Sequence, residues 1–205
     1  MSLARKRENS VVSHGQTRPG GRSARVQASV HKATTELLEE IGRDALTIPA
    51  IAERAGVTPS TIYRRWGDLQ ELLADVAVER FRPEEDPKDT GDARKDLELW
   101  VEAFAEEFSS APGREMIRDV LAGRSGAEMP GAGKPGKCSA YTKVQIEEIA
   151  ARAKARGVPF PDTTAIMDHV IAPLVYRILF YEPPSAELVR SLIATVYELS
   201  LETAT

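Results

Sequence analysis

A single cysteine, Cys138, stands in 205 residues, so no disulfide forms within the chain. Its composition fits a reducing compartment. The three histidines, His14, His31 and His169, fall in separate segments with no pair at ligand spacing. That pattern points to no metal site. Runs of about 18 consecutive apolar residues are absent, so no membrane span is expected. The first 25 residues carry arginines without an apolar segment and do not read as a secretory signal. No segment alternates apolar and polar residues with the period of two that a strand needs. What remains is a cytoplasmic, all-α chain, with 42% hydrophobic residues to supply a core.

Charge is unevenly spread. Residues 1–81 hold 12 Lys and Arg against 10 Asp and Glu, whereas residues 82–205 hold 15 against 21. Arg5, Lys6, Arg7, Arg18, Arg22 and Arg25 face only Glu8 at the front of a chain whose net charge is −4. A basic front end on an acidic protein suits contact with a polyanion, and it equally suits a solvated tail. Residues 1–22 lack periodicity and read as a disordered basic arm.

From Ser23, a candidate N-cap, Val26, Val30, Ala33, Leu37 and Ile41 recur at helical spacing, and Gly42 closes the segment. Thr47 caps a second, short helix with Pro49 in its first turn and an apolar face of Ile48, Ile51, Ala52 and Ala55. Gly56 ends it. Thr58 and Pro59 open a third helix that stops at Gly67. Asp68 caps a fourth, with Glu71 in capping-box position. The segment PEEDPKDTGD (83–92) reads as a linker between two modules, 23–81 and 92–205. Further helices are expected over 92–109, from Pro112, over 139–156, 162–181 and 185–202, with a Gly/Pro-rich loop over 123–137.

Two short helices joined by a Gly-containing turn make a helix-turn-helix. Small Ala52 permits a close crossing, Gly56 supplies the turn, and Val57 and Ile62 anchor the third helix inward. Ser60 and Arg64 then share the outer face, with Thr61 and Arg65 beside them. Such a helix enters a major groove, where Arg64 matches the O6 and N7 edge of guanine and hydroxyls hold phosphates. Tyr63 and Trp66 have a plainer reading as packing between helices, which suits Trp66 better.

The segment 47–73, TIPAIAERAGVTPSTIYRRWGDLQELL, closely resembles the N-terminal domain of the TetR family of bacterial transcriptional regulators. Many fixed spacings agree at once, and the match reaches upstream through Leu37 and Gly42. ARGVPFPD (155–162) and IAPLVYRILFYEPP (171–184) resemble one branch of that family's C-terminal domain more weakly. The resemblance implies phosphate contacts from Thr47, Thr58, Thr61, Tyr63 and Arg65, and base contacts from Pro59, Ser60 and Arg64. It also implies a small-molecule effector and a homodimer on a palindromic operator, the DNA being released when the effector binds. One departure is Leu69, where the family usually has a phosphate-gripping Lys. The arginines at 18, 22 and 25 are candidates to replace it.

The distal module carries Trp100, Phe104 and Phe108 on one helix and Met116 and Leu121 on the next. Tyr141, Met167 and Ile171 follow on later helices. Together they are candidates for an effector pocket between bundle helices, favouring an apolar or aromatic molecule; singly each is a plausible core residue. Residues 162–181 and 185–202 are apolar over so much of their circumference that they must be central or at an interface, here a two-fold four-helix bundle. Pro173 should kink the first of them.

The spacing of Gly131, Gly136 and Lys137 approaches a phosphate-binding loop, but no strand precedes it and Cys138 stands where Ser or Thr would bind magnesium. Cys138 reads as a passive thiol in a loop rather than a redox sensor. No catalytic residue, cofactor or enzyme activity is expected. The alternative is a helical small-molecule-binding protein or enzyme that uses the helix-turn-helix only structurally.

Overall fold

The computed structural model describes residues 21–83, 85–123 and 134–202. Most of the expected basic arm, and most of the expected 123–137 loop, lie outside those residues. By their contacts the residues divide into two compact units, Met1–Thr58 and Pro59–Thr205. Among the described residues every regular element is helical.

In the first unit, α1 (Gly21–Ile41) begins two residues before Ser23, which therefore sits inside the helix and is not its cap. Val30, Ala33, Thr34 and Leu37 form its buried stripe. The buried Thr34 hydroxyl donates to the Val30 carbonyl at 2.8 Å, which removes the penalty of an unpaired polar group. Packed against α1 is α2 (Ile48–Ala55), whose N-cap Thr47 accepts from the Ala50 N–H at 3.4 Å. Arg54 spans the pair: its two terminal nitrogens donate to Glu40 at 2.8 and 2.7 Å, and Glu36 lies 3.5 Å away. The hydrogen bond to Arg54 holds the Glu40 carboxyl below its ordinary range. At Gly56 the backbone turns left-handed, φ +67°, and the Val57 N–H closes onto the Ala52 carbonyl at 2.9 Å.

The second unit opens with α3 (Pro59–Trp66) and α4 (Leu69–Arg80). Asp68 accepts from the Glu71 N–H at 2.8 Å, the capping geometry expected there. Leu72, Leu73, Ala74, Val76, Ala77 and Val78 are all buried, so α4 is covered on most sides, packing on α3, α6 and α7. Asp92 caps α5 (Ala93–Ser109) and Ser110 caps α6 (Ala111–Ala122). The corner between these two is tight: a Cβ on Gly113 would run into the Glu107 carbonyl and Phe108 Cα.

Helix α7 (Lys134–Ala155) starts five residues earlier than its sequence suggested. Residues 134–138 are therefore helix, not loop. The reason is a stripe that continues back from Ala153 through Ile149, Ile146 and Thr142 to Cys138, all buried. Gly136 and Lys137 are turns of that helix and form no phosphate cradle.

The most apolar segment comprises α8 (Thr163–Ile166), a π turn (Met167–Ile171) and α9 (Ala172–Phe180). The irregularity expected at Pro173 takes the form of this π turn just before it. Thr163–Phe180 has a mean hydropathy of 1.2 and passes for a membrane span by length and composition alone. It carries Asp168, His169 and Arg177, and it sends Ile166, Val170, Ile171, Leu174 and Ile178 into a protein core. Last is α10 (Ala186–Glu202), contributing Val189, Ile193 and Val196 to the same core.

Candidate DNA interface and effector cleft

Helix α3 is held by two side chains. Ile62 is fully buried, and the Trp66 indole N–H donates to Asp75 of α4 at 2.8 Å. That bond fixes the helix on α4 and gives Trp66 the packing role the sequence favoured. With 62 and 66 turned in, helical geometry turns Ser60, Tyr63 and Arg64 out. All three are exposed, Tyr63 by half its surface. The Tyr63 hydroxyl and the Arg64 guanidinium have no partner among the described residues. Arg65 is exposed and lies over the Trp66 ring, 5.4 Å from its centroid. Such stacking stiffens a long side chain without neutralising it. Thr61 is half-buried and Pro59 exposed at the first helical position. Of the eight residues proposed for DNA, these six lie in the second unit. Thr47 and Thr58 lie in the first, both exposed, with the Thr47 hydroxyl already engaged as a helix cap. Leu69 occupies the first turn of α4, half-buried.

A cleft of about 780 Å3 opens in the second unit beneath the end of α4. Trp100, Phe104 and Phe108 of α5 line it, spaced four residues apart on one stripe, with Tyr141 of α7 opposite. These are four of the eight candidates. The rest fall elsewhere. Met116 and Ile171 are core residues, and Met167 packs half-buried against that core. Leu121 is 60% exposed, because the buried stripe of α6 runs through Gly113, Met116, Ile117 and Val120 and leaves position 121 on the next face.

The cleft also has walls that sequence reasoning missed. Phe81 ends α4 and stacks on Phe108, centroids 4.7 Å apart. Leu99, Thr142 and Gln145 join from α5 and α7. The segment taken for a simple linker contributes Pro83, Glu85, Asp86, Pro87 and Lys88. It is strapped down: Arg152 of α7 donates to the Pro87 carbonyl at 2.6 Å, and Arg156 grips both Asp89 oxygens at 2.6 and 2.7 Å. The Arg156 bond lowers the Asp89 pKa. The only sequence signal for this wall was a pair of prolines, which read as a break.

Cys138 is buried at 7% exposure within α7, where burial pushes its thiol up to about 12. It is a protonated core group, not a residue of an open loop.

Comparison with known proteins places this architecture. Residues 31–76 match the model of bacterial regulatory proteins of the tetR family, and residues 87–196 match the tetracyclin repressor-like C-terminal domain. The chain belongs to the TetR family. An uncharacterised HTH-type transcriptional regulator of Mycobacterium bovis is 30% identical over 177 residues, 84% of this chain and 86% of its own. The HTH-type transcriptional regulator AqdR of Rhodococcus erythropolis is 29% identical over 144 residues, covering 70% and 69%. Among solved structures, the TetR family transcription regulator SCO0332 superposes with a TM-score of 0.62 at 27% identity, over 84% of this chain and 97% of that one. This TetR-family chain is thus a ligand-responsive, DNA-binding transcriptional regulator. The reading as an enzyme or carrier with an idle helix-turn-helix is not favoured.

Proposed function

We propose that this regulator is a cytoplasmic repressor which, as a homodimer, holds a palindromic operator and releases it when a small molecule fills the cleft. The observation that carries the coupling is the position of α4. Asp75, midway along α4, holds Trp66 of the recognition helix, and the same helix ends at Arg80 and Phe81 in the cleft wall. A ligand that moves Phe81 therefore acts on the element to which α3 is bonded. Differential affinity for the two α4 positions is the whole of the coupling, and it is reciprocal.

In this reading Thr47, Thr58, Thr61, Tyr63 and Arg65 contact phosphates, while Pro59, Ser60 and Arg64 face base edges. The domains are 23–81 for DNA and 92–205 for effector and partner. The dimer forms through α9 and α10. On α9 the exposed rings of Tyr176 and Phe180 stand 5.0 Å apart, and α10 exposes Leu199 and Leu201, apolar surface that a second copy would cover. Two copies would pair these helices into a four-helix interface and set two recognition helices on successive major grooves.

Selection of bound duplexes from a randomised pool at moderate salt tests the proposal. Enrichment of an inverted repeat is the expected result. No enrichment by folded protein would sink it.

A further inference from the structure

The lining of the cleft points to a chemical class of effector, an inference that rests on reading the cleft as the effector site. Five aromatic side chains line it, against a single branched aliphatic one, Leu99. Four of the rings form a continuous row. Trp100 and Phe104 stack with centroids 5.6 Å apart, Phe104 and Phe108 meet at 4.6 Å, and Phe108 stacks on Phe81 at 4.7 Å with planes 18° apart. A flexible acyl chain is matched by branched aliphatic walls. A row of ring faces and edges is matched by another flat ring system, through offset or edge-to-face contact.

Charge does not select a sign. Arg80, Arg82 and Lys88 line the cleft against Glu85, Asp86 and Glu107, and Arg82 is paired with Glu79 at 3.3 Å. A net-charged ligand gains nothing from such a balance while losing its hydration. The polar recognition is neutral and sits on α7. The Tyr141 hydroxyl and the Gln145 amide are half-buried, line the cleft, and have no hydrogen-bond partner among the described residues. Thr142 beside them spends its hydroxyl hydrogen on the Cys138 carbonyl at 3.2 Å and keeps only acceptor capacity. A ligand edge that both donates and accepts satisfies this set.

We infer that the cleft takes an uncharged, fused-ring aromatic molecule, stacked on the Phe81–Phe108–Phe104–Trp100 row with a hydroxyl or amide edge toward Tyr141 and Gln145. At about 780 Å3 the cleft has room for such a ring system and a substituent.

Calorimetric titration of the full chain at pH 7 tests this with three probes: 2-naphthol, 2-naphthoate and dodecanoate. The expected result is that 2-naphthol binds about tenfold or more tightly than either anion, stacking and the neutral edge together supplying the difference. Trp100→Leu should abolish the preference over dodecanoate, because it weakens both naphthalenes alike. Gln145→Leu, at a half-buried surface position that does not threaten folding, should weaken 2-naphthol several-fold and leave dodecanoate unchanged. Tighter binding of dodecanoate, no binding of 2-naphthol to folded protein, or an unchanged affinity in Gln145→Leu overturns the inference. Operator release, measured in parallel, separates it from the effector reading. If 2-naphthol binds with this variant pattern without releasing the duplex, the ligand class stands and the effector role fails. If dodecanoate binds and releases it, the effector role stands and the ligand class fails.

Discussion

Arg64 and Tyr63 are neighbours on one exposed helix face, and they are expected to fail differently. On the proposed roles, Arg64→Ala should relax preference at one base pair, costing about 1–3 kcal/mol on the best site and much less on others. On the same proposal, in which the Tyr63 hydroxyl holds a phosphate, Tyr63→Phe should weaken every sequence alike. Competition binding across a set of single-base operator variants distinguishes them; equal loss at all bases in the Arg64 variant would remove its reading role. Cys138 offers a second residue-scale expectation. Its thiol is raised to about 12 by burial, so the folded state prefers the neutral form. That contribution to stability is complete below the ordinary thiol range and is lost as pH rises toward 12. At pH 8 a thiol reagent should leave the native protein unmodified and react at once on unfolding. Rapid native labelling would contradict the burial.

At the scale of elements, the α5–α6 corner and the strap along the cleft make separate predictions. Gly113→Ala forces a methyl into the Glu107 carbonyl and should destabilise the protein by about 1–3 kcal/mol in a denaturant titration, because α6 cannot retreat without losing α4. The strap over 85–91 is held at three points, by Arg152 on the Pro87 carbonyl, by Arg156 on Asp89, and by Asp96 of α5, which accepts from the Thr90 N–H and hydroxyl at 2.8 and 2.6 Å. Arg156→Ala should leave the fold intact and change effector affinity several-fold, read by calorimetry beside wild type. The lowered pKa of Asp89 keeps this clasp closed above the ordinary carboxylate range and opens it only as pH falls through the lowered value. These elements also mark what the sequence made legible. Caps at Thr47 and Asp68 and the left-handed Gly56 are local signals, and the helices they bound lie where expected. The start of α7 was hidden because Gly and Pro dominate 131–136, although the spacing of Cys138, Thr142 and Ile146 already continued the stripe. The strap was illegible for another reason: its place depends on Arg152 and Arg156, more than sixty residues away. Leu121 was misassigned because one step along a helix changes its face.

For the whole molecule, affinity for DNA should be strongly salt-dependent even though the chain is acidic, because only the local field of the recognition face meets phosphate. Raising salt from about 50 to 200 mM should weaken operator binding by at least about tenfold, measured by fluorescence anisotropy. A flat response would argue against phosphate contacts at Thr61, Tyr63 and Arg65. The distal core, by contrast, bears on what insertions and deletions the chain tolerates. In the segment through Met167–Ile171 the buried positions are Ile166, Val170, Ile171, Leu174 and Ile178. The step from 166 to 171 is out of phase for an α-helix, and the π turn absorbs it by holding one residue more than an α-helical path would. Deleting the exposed Asp168 would return the spacing to three, four, seven and eleven residues beyond Ile166, an unbroken α-helical stripe. This is therefore a place in the bundle where the reading frame of the core carries a spare residue. Loss of Asp168 should be nearly silent in a thermal melt, while loss of Tyr176, two turns on, rotates Ile178 out of the core and should unfold it.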